Sequence, residues 1–158
     1  MEYSEVLAAR HSVRKFKDTP VEREILDALV QEALLAPSSK NSRSSGFMIV
    51  EDPDTLAAMS QMRDYGAKPL AEAAAAIIVL GDTSKTDLWV ENCSISATYL
   101  LLSAVNRGLG GCWIHINGRP RFKEDPSKGS AEGYLRELLG LKDNIRPLCA
   151  IALGYEDK

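Results

Sequence analysis

Apolar residues along this chain recur at two spacings. From Ile25 to Ala33 they fall at steps of three and four (Ile25, Leu26, Leu29, Val30, Ala33), which lays one stripe along a helix. Ahead of this run, Thr19, Pro20 and Glu22 supply an N-cap, a first-turn proline and a capping box, and Pro37 stops the helix. A short helix is predicted over 4–9, others over 54–63 and 131–139, the last closed by Gly140. The longest helical pattern runs from about 87 to 107, with Ile95, Tyr99, Leu102 and Val105 as its apolar stripe and little charge around it. That pattern predicts a helix buried on much of its circumference. Four continuous apolar runs have strand length: "FMIVED" before Pro53, "AAIIVL" over 75–80, "CWIHI" over 112–116 and "RPLCAIALGY" over 146–155. Residues 118–129 combine turn residues with mixed charge and read as a mobile loop. Helices alternating with strands, with no linker or repeat, make one α+β domain over 1–158.

Length and charge narrow the picture. A chain of 158 residues buries one substantial core and has little room for a second. Its net charge of −3 gives no general attraction to nucleic acid or acidic membranes, so any affinity for anions is local. The most apolar stretch, Leu70–Gly81, contains Glu72 and is too short to cross a bilayer. The N-terminus enters a helical pattern almost at once, without the layout of a secretory leader, so a cytoplasmic protein is expected. Cys93, Cys112 and Cys149 are scattered in apolar surroundings and only two histidines exist, so no metal ligand set is present and buried, reduced thiols are expected.

Three segments carry candidate chemistry. "RHSVRKF", residues 10–16, gathers Arg10, His11, Ser12 and Arg14 within five positions. Guanidinium, imidazole and hydroxyl donors in that density suit a phosphate, or else form a solvated basic turn. "SSKNSRSSG", residues 38–46, holds five serines that either cap and turn the chain or contact a polyhydroxylated ligand. "GLGG", residues 108–111, has a helix entering and a strand leaving, the reverse of a dinucleotide-binding fingerprint. Its glycines end the helix, or leave backbone open to a flat ligand. No serine sits in a GxSxG turn and no carboxylate pair has a focus, so catalysis here would rest on a cofactor.

Taken together these segments resemble the nitroreductase family of flavin-dependent oxidoreductases. "RHSVRKF" is similar to that family's Arg-Arg/His-Ser-x-Arg/Lys-x-Phe, and "APSSKNSRSSGF" to Ala-Pro-Ser-Ser-x-Asn-x-Gln-Pro-Trp-x-Phe. "SATYLLLSAVNRGLGGCWI" resembles its central helix with Gly-Leu-Gly-x-x-Trp, and "LRELLGLKDNIRPLCAIALGY" its closing helix and Gly-Tyr strand. The resemblance implies a central, mostly antiparallel sheet of about four or five strands flanked by helices, and a homodimer with FMN at the subunit interface. It assigns the phosphate end to Arg10, His11 and Ser12 and the pyrimidine edge of the ring to Arg14. Pro37, Ser38, Ser39 and Asn41 would reach the flavin from the partner, with Gly110, Gly111 and Lys68 as further contacts. It also implies hydride transfer from NAD(P)H through flavin N5 to a small electron-poor acceptor such as a nitroaromatic or quinone. The alternative is a flavin-storage protein with little turnover. Arg43, Ser44 and Ser45 replace the family's Gln-Pro-Trp, which alters that part of the pocket. Relatives generally continue beyond the Gly-Tyr pair with a basic residue for the phosphate; here Glu156, Asp157 and Lys158 follow it. Trp89 and Trp113 read as core or interface anchors.

Overall fold

Strands β1 (Ser45–Val50), β2 (Ala75–Asp82), β3 (Gly110–His115) and β4 (Ile145–Gly154) form one sheet in the computed structural model, which describes residues 1–158. The order is β1-β2-β4-β3, and every neighbouring pair is antiparallel. The two central strands are buried along nearly their whole length, which is why their sequences are unbroken apolar runs rather than alternating ones. Successive side chains of a strand still face opposite layers. Ile78 packs with Met59, Met62, Leu70, Ile114 and Leu135 on one face, and Ile77 with Leu26, Leu29, Cys93, Leu100 and Ile151 on the other.

The first layer is built by α3 (Pro53–Met59), the single turn α4 (Pro69–Glu72) and α6 (Ala131–Leu139). The second is built by α2 (Arg23–Ala33) and α5 (Trp89–Asn106), with α1 (Tyr3–Ala9) against α5. Gly140 ends α6 in the left-handed region at φ +65°, as its sequence position predicts. The short turn α4 carries too little periodicity to be visible beforehand.

Two expectations need correction. Helix α2 begins at Arg23 with Glu22 as N-cap, not at Pro20. Lys17 N–H donates to Tyr155 O at 2.8 Å, so the chain is still held extended just before Thr19. Val21, the residue before the cap, instead joins the same apolar cluster as Leu26 and fixes the angle of entry. The second correction concerns α5. Its core face is Trp89, Cys93, Ala97, Leu100 and Ala104, largely small residues, because the helix lies close across β2 and β4. Ile95 and Tyr99, read as part of its buried stripe, are exposed.

Residues 118–129 are tied down at several points. Pro120 pairs with Ser130, Arg121 N–H donates to Gly129 O, and Asp64 N–H donates to Arg121 O. The three cysteines are buried and unpaired, and burial pushes the Cys93 thiol up to about 11.

Candidate functional site

Helix α1 ends where Arg10 turns extended, its N–H still bonded to Val6 O. The chain then runs along the mouth of the sheet. Val13 N–H donates to Gly111 O at 3.0 Å, Lys17 N–H to Tyr155 O, and Asp157 N–H returns a bond to Lys15 O. This path buries Val13 and Phe16 and leaves Arg10, His11, Ser12 and Arg14 facing out. Two glycines allow it. A Cβ on Gly110 would lie 2.7 Å from Val13 Cγ2, and one on Gly154 would lie 2.8 Å from Phe16 Cδ1. A Cβ on Gly111 would stand 3.1 Å from Leu101. The bare backbone of Gly110 and Gly111 therefore seats the basic segment and α5.

His11 has no free ring nitrogen. Nδ1 lies 2.9 Å from Ala9 O and Nε2 lies 3.1 Å from Glu156 Oε1. The Ala9 bond first, then Glu156, hold its pKa above the usual value. The His11 ring thereby ties the segment to the residues after β4.

Strand β3 is an edge strand, and its parity defines what the edge presents. Ile116 N–H points inward to Leu148 O, whereas Gly111 O points outward to Val13 N–H and His115 O outward to Arg63 Nη1 at 3.1 Å. Gly111, Trp113 and His115 thus turn their peptide groups outward. Between the two occupied ends, the Trp113 N–H and C=O and the His115 N–H have no backbone partner. From Gly111 to His115 the edge measures about 13 Å. Arg14 follows Val13 at one end, close enough to oppose the burial-driven rise of the Cys112 pKa. Arg63 closes the other end.

The serine loop is organised by a residue that sequence reasoning passed over. Asn92, 2% exposed on α5, accepts from Ser39 N–H at 3.0 Å through Oδ1. Its Nδ2 donates to Ser39 Oγ (3.1 Å), Ser42 Oγ (3.2 Å) and Ser44 Oγ (3.0 Å). Ser38 Oγ accepts from Arg43 N–H at 3.0 Å. These bonds hold Lys40, Asn41 and Arg43 at φ 51°, 53° and 49°, a region non-glycine residues enter at a cost of about 1 kcal/mol each. Pro37 and Asn41 remain exposed, while Ser38 and Ser39 turn partly inward. Of the unusual triplet, Ser44 completes the Asn92 network and Ser45 Oγ lies 3.7 Å from Cys93 Sγ. The available signal was an asparagine in register with Trp89, Ser96 and Leu100 on a buried face.

The two clusters do not meet within one chain. Ser44 lies beside Asp82, which pairs with Ile145 at the start of β4, whereas Gly110 pairs with Gly154 at its end. Nine residues of strand separate those ends, or about 30 Å. Lys68 lies apart from both, exposed, 3.9 Å from Glu72 and lining a cleft of about 360 Å³ with Arg63, Tyr65 and Gly66. No group of three potential metal ligands occurs, and no helix is long and apolar enough to cross a membrane.

Known proteins resemble this chain in sequence and fold. The nitroreductase family model matches residues 7–155. A protein of Archaeoglobus fulgidus, provisionally named NADH dehydrogenase/NAD(P)H nitroreductase, is 32% identical over 95% of this chain and 83% of its own length. A similarly named protein of Methanothermobacter thermautotrophicus is 31% identical over 98% of this chain and 78% of its own. Among solved structures, an FMN-dependent nitroreductase from Clostridium difficile R20291 superposes with a TM-score of 0.90 at 40% identity, covering 97% of this chain and 87% of that one. With sequence and fold agreeing over almost its full length, this chain belongs to the nitroreductase family of oxidoreductases.

Proposed function

We propose that the protein is an FMN-dependent oxidoreductase that passes hydride from NAD(P)H to an electron-poor acceptor, such as a nitroaromatic or a quinone, and works as a homodimer. The observation that carries this reading is the uncovered edge of β3. Its outward N–H and C=O groups, flanked by Arg14, suit a flat heterocycle with donors and acceptors along its rim. Bound FMN would supply the redox chemistry in two half-reactions, which asks no acid or base of the protein.

The chain's own residues then bind and bias. Arg10 and Ser12, exposed beside the edge, offer donors to the phosphate, and His11 lies between them, its ring nitrogens engaged by Ala9 and Glu156. Arg14 offsets negative charge gathered on the pyrimidine side of the ring, which favours the reduced cofactor. Gly110 and Gly111 hold that segment in place, and Lys68 is a further cation outside it. The neighbouring His115 is held below its usual pKa by burial first, then by Arg119 and Arg63, so it is neutral near pH 7.

Pro37, Ser38, Ser39 and Asn41 join this site only from a second copy, given the separation of about 30 Å along β4. Exposed apolar side chains support that reading. Tyr3 and Leu7 on α1, Leu34 and Leu35 after α2, and Ile95 and Tyr99 on α5 are all exposed. Large apolar side chains left out on three neighbouring helices are the expected material of an interface.

The test is spectroscopic. Purified protein reconstituted with FMN should retain a flavin spectrum through gel filtration, bleach anaerobically with NADH or NADPH, and recover on adding a nitroaromatic or quinone. A bound flavin that neither donor bleaches would leave a storage protein instead. Sedimentation should give twice the chain mass.

A further inference from the structure

Around the far end of β3 the chain collects cations that no carboxylate neutralises. Arg63 donates to His115 O, and its guanidinium carbon stands 4.3 Å from the centre of the Tyr65 ring. Lys123 Nζ lies 5.8 Å from the same ring centre. Arg119 stands in the turn just after β3, its N–H donating to Ile116 O at 3.1 Å, and after burial it and Arg63 hold the His115 pKa down. None of these three forms an ion pair, although Lys68, Arg136 and Arg146 on surrounding elements each do. The adjacent acid Asp64 has one carboxylate oxygen on the backbone N–H of Lys123 at 3.0 Å. Arg63 Nε is buried without a partner.

The grouping is held by other bonds than its own charges. Asp64 N–H donates to Arg121 O at 2.8 Å, and Arg121 Nε donates to Gln61 O at 3.1 Å. Arg121 is itself packed against Tyr134 and Phe122. Residues 119–123 are thereby docked on 61–65, which keeps like charges together against their repulsion. In a chain of net charge −3, that concentration focuses a positive field on one spot. It lies about 13 Å along the β3 edge from the Arg14 end. The edge therefore has a cationic pole at each end, and the Arg10–Arg14 pole alone accounts for one phosphate.

We propose that Arg63, Arg119 and Lys123 form a second anion site, which takes the phosphates of the dinucleotide electron donor while its nicotinamide reaches the flavin held at the β3 edge. This rests on the flavin reading above and extends it to where the donor is held.

The test replaces the two exposed cations, which hold no structural bond, in the double variant Arg119→Gln/Lys123→Gln. With FMN-loaded protein, KM for NADH and NADPH should rise about tenfold while flavin content stays the same. The phosphate-free donor 1-methyl-1,4-dihydronicotinamide should reduce native and variant protein at equal rates. Loss with both kinds of donor, or unchanged KM for the dinucleotides, overturns the proposal. Calorimetry with inorganic pyrophosphate supplies a readout independent of turnover. Native protein carrying FMN should bind it, and so should FMN-free Arg10→Ala/Arg14→Ala protein, whose first pole is removed. Adding Arg119→Gln/Lys123→Gln should weaken binding at least fivefold in either. Equal pyrophosphate affinity with and without those two added changes again overturns the site. Failure to take up FMN, with pyrophosphate binding intact and lost in the variant, removes the flavin reading and leaves the anion site standing.

Discussion

Residues 10–17 and residues 37–45 are both short, polar and irregular, yet they are held by opposite means. The first is fixed by its backbone and by two buried side chains: Val13 and Lys17 bond to Gly111 and Tyr155, and Val13 and Phe16 press onto glycines. Its polar side chains are left over, so Arg10, Ser12 and Arg14 face solvent with their donors unspent. The second is fixed by its polar side chains, which converge on Asn92, and its backbone is bent into the left-handed region as a result. A segment that orders itself through main-chain pairing keeps its charges for a ligand. One that orders itself through hydroxyls presents shape, here Pro37 and Asn41, more than free donors.

The largest effect should come from removing the hub of the second region. Asn92→Leu leaves three hydroxyls and the Ser39 N–H without their shared partner, at a cost of about 3 kcal/mol, or roughly 9 °C in Tm. Differential scanning calorimetry reads this directly, and a loss below 1 kcal/mol would mean water replaces the side chain freely. The first region should break through packing instead. Gly110→Ala forces a methyl against Val13 and should cost about 2 kcal/mol. Combined with Val13→Ala it should cost clearly less than the sum of the two, because the second change vacates the clash. Additive losses in urea unfolding would show that Val13 is not the obstacle.

Arg14→Ala sharpens the contrast from the functional side. Its side chain is exposed, so folding stability should move by less than about 0.5 kcal/mol, while FMN affinity, followed by fluorescence titration, falls about tenfold. Unchanged affinity would take Arg14 out of the site. The smallest effect belongs to His11. Its pKa is raised in the folded chain, so its contribution is complete below the ordinary value of about 6.5 and disappears as pH rises through the raised one. Native protein should lose slightly more stability than His11→Gln between about pH 5 and about pH 8.5, which bracket the His titration range. Parallel melting curves for the two proteins would assign the Glu156 contact no weight.

Much of this was readable in advance wherever a local rule sufficed. Buried strands announced themselves as apolar runs because β2 and β4 have no solvent face, and α6 ended where Gly140 allows a left-handed turn. Four motifs in order along the chain were enough to identify the family, since each reflects a local backbone need. The start of α2 was misplaced because a bond from Lys17 to Tyr155, 138 positions apart in the chain, outweighs the capping pattern at Thr19–Glu22. The stripe of α5 was assigned inward because hydrophobicity names a face but not its partner. Small residues face the sheet and the large ones, Ile95 and Tyr99, are left outside.

The sequence by itself therefore determined most of the elements, the family and the residues that carry charge. Only the tertiary structure decided which of them assemble. It set Arg10–Arg14 and the serine loop at opposite ends of β4, made Asn92 the support of that loop, and joined Arg63 with Arg119 and Lys123 at one strand end. The physical reason is that hydrogen-bond parity and close packing act between residues far apart in the chain, and no spacing of residues along it encodes where those contacts fall.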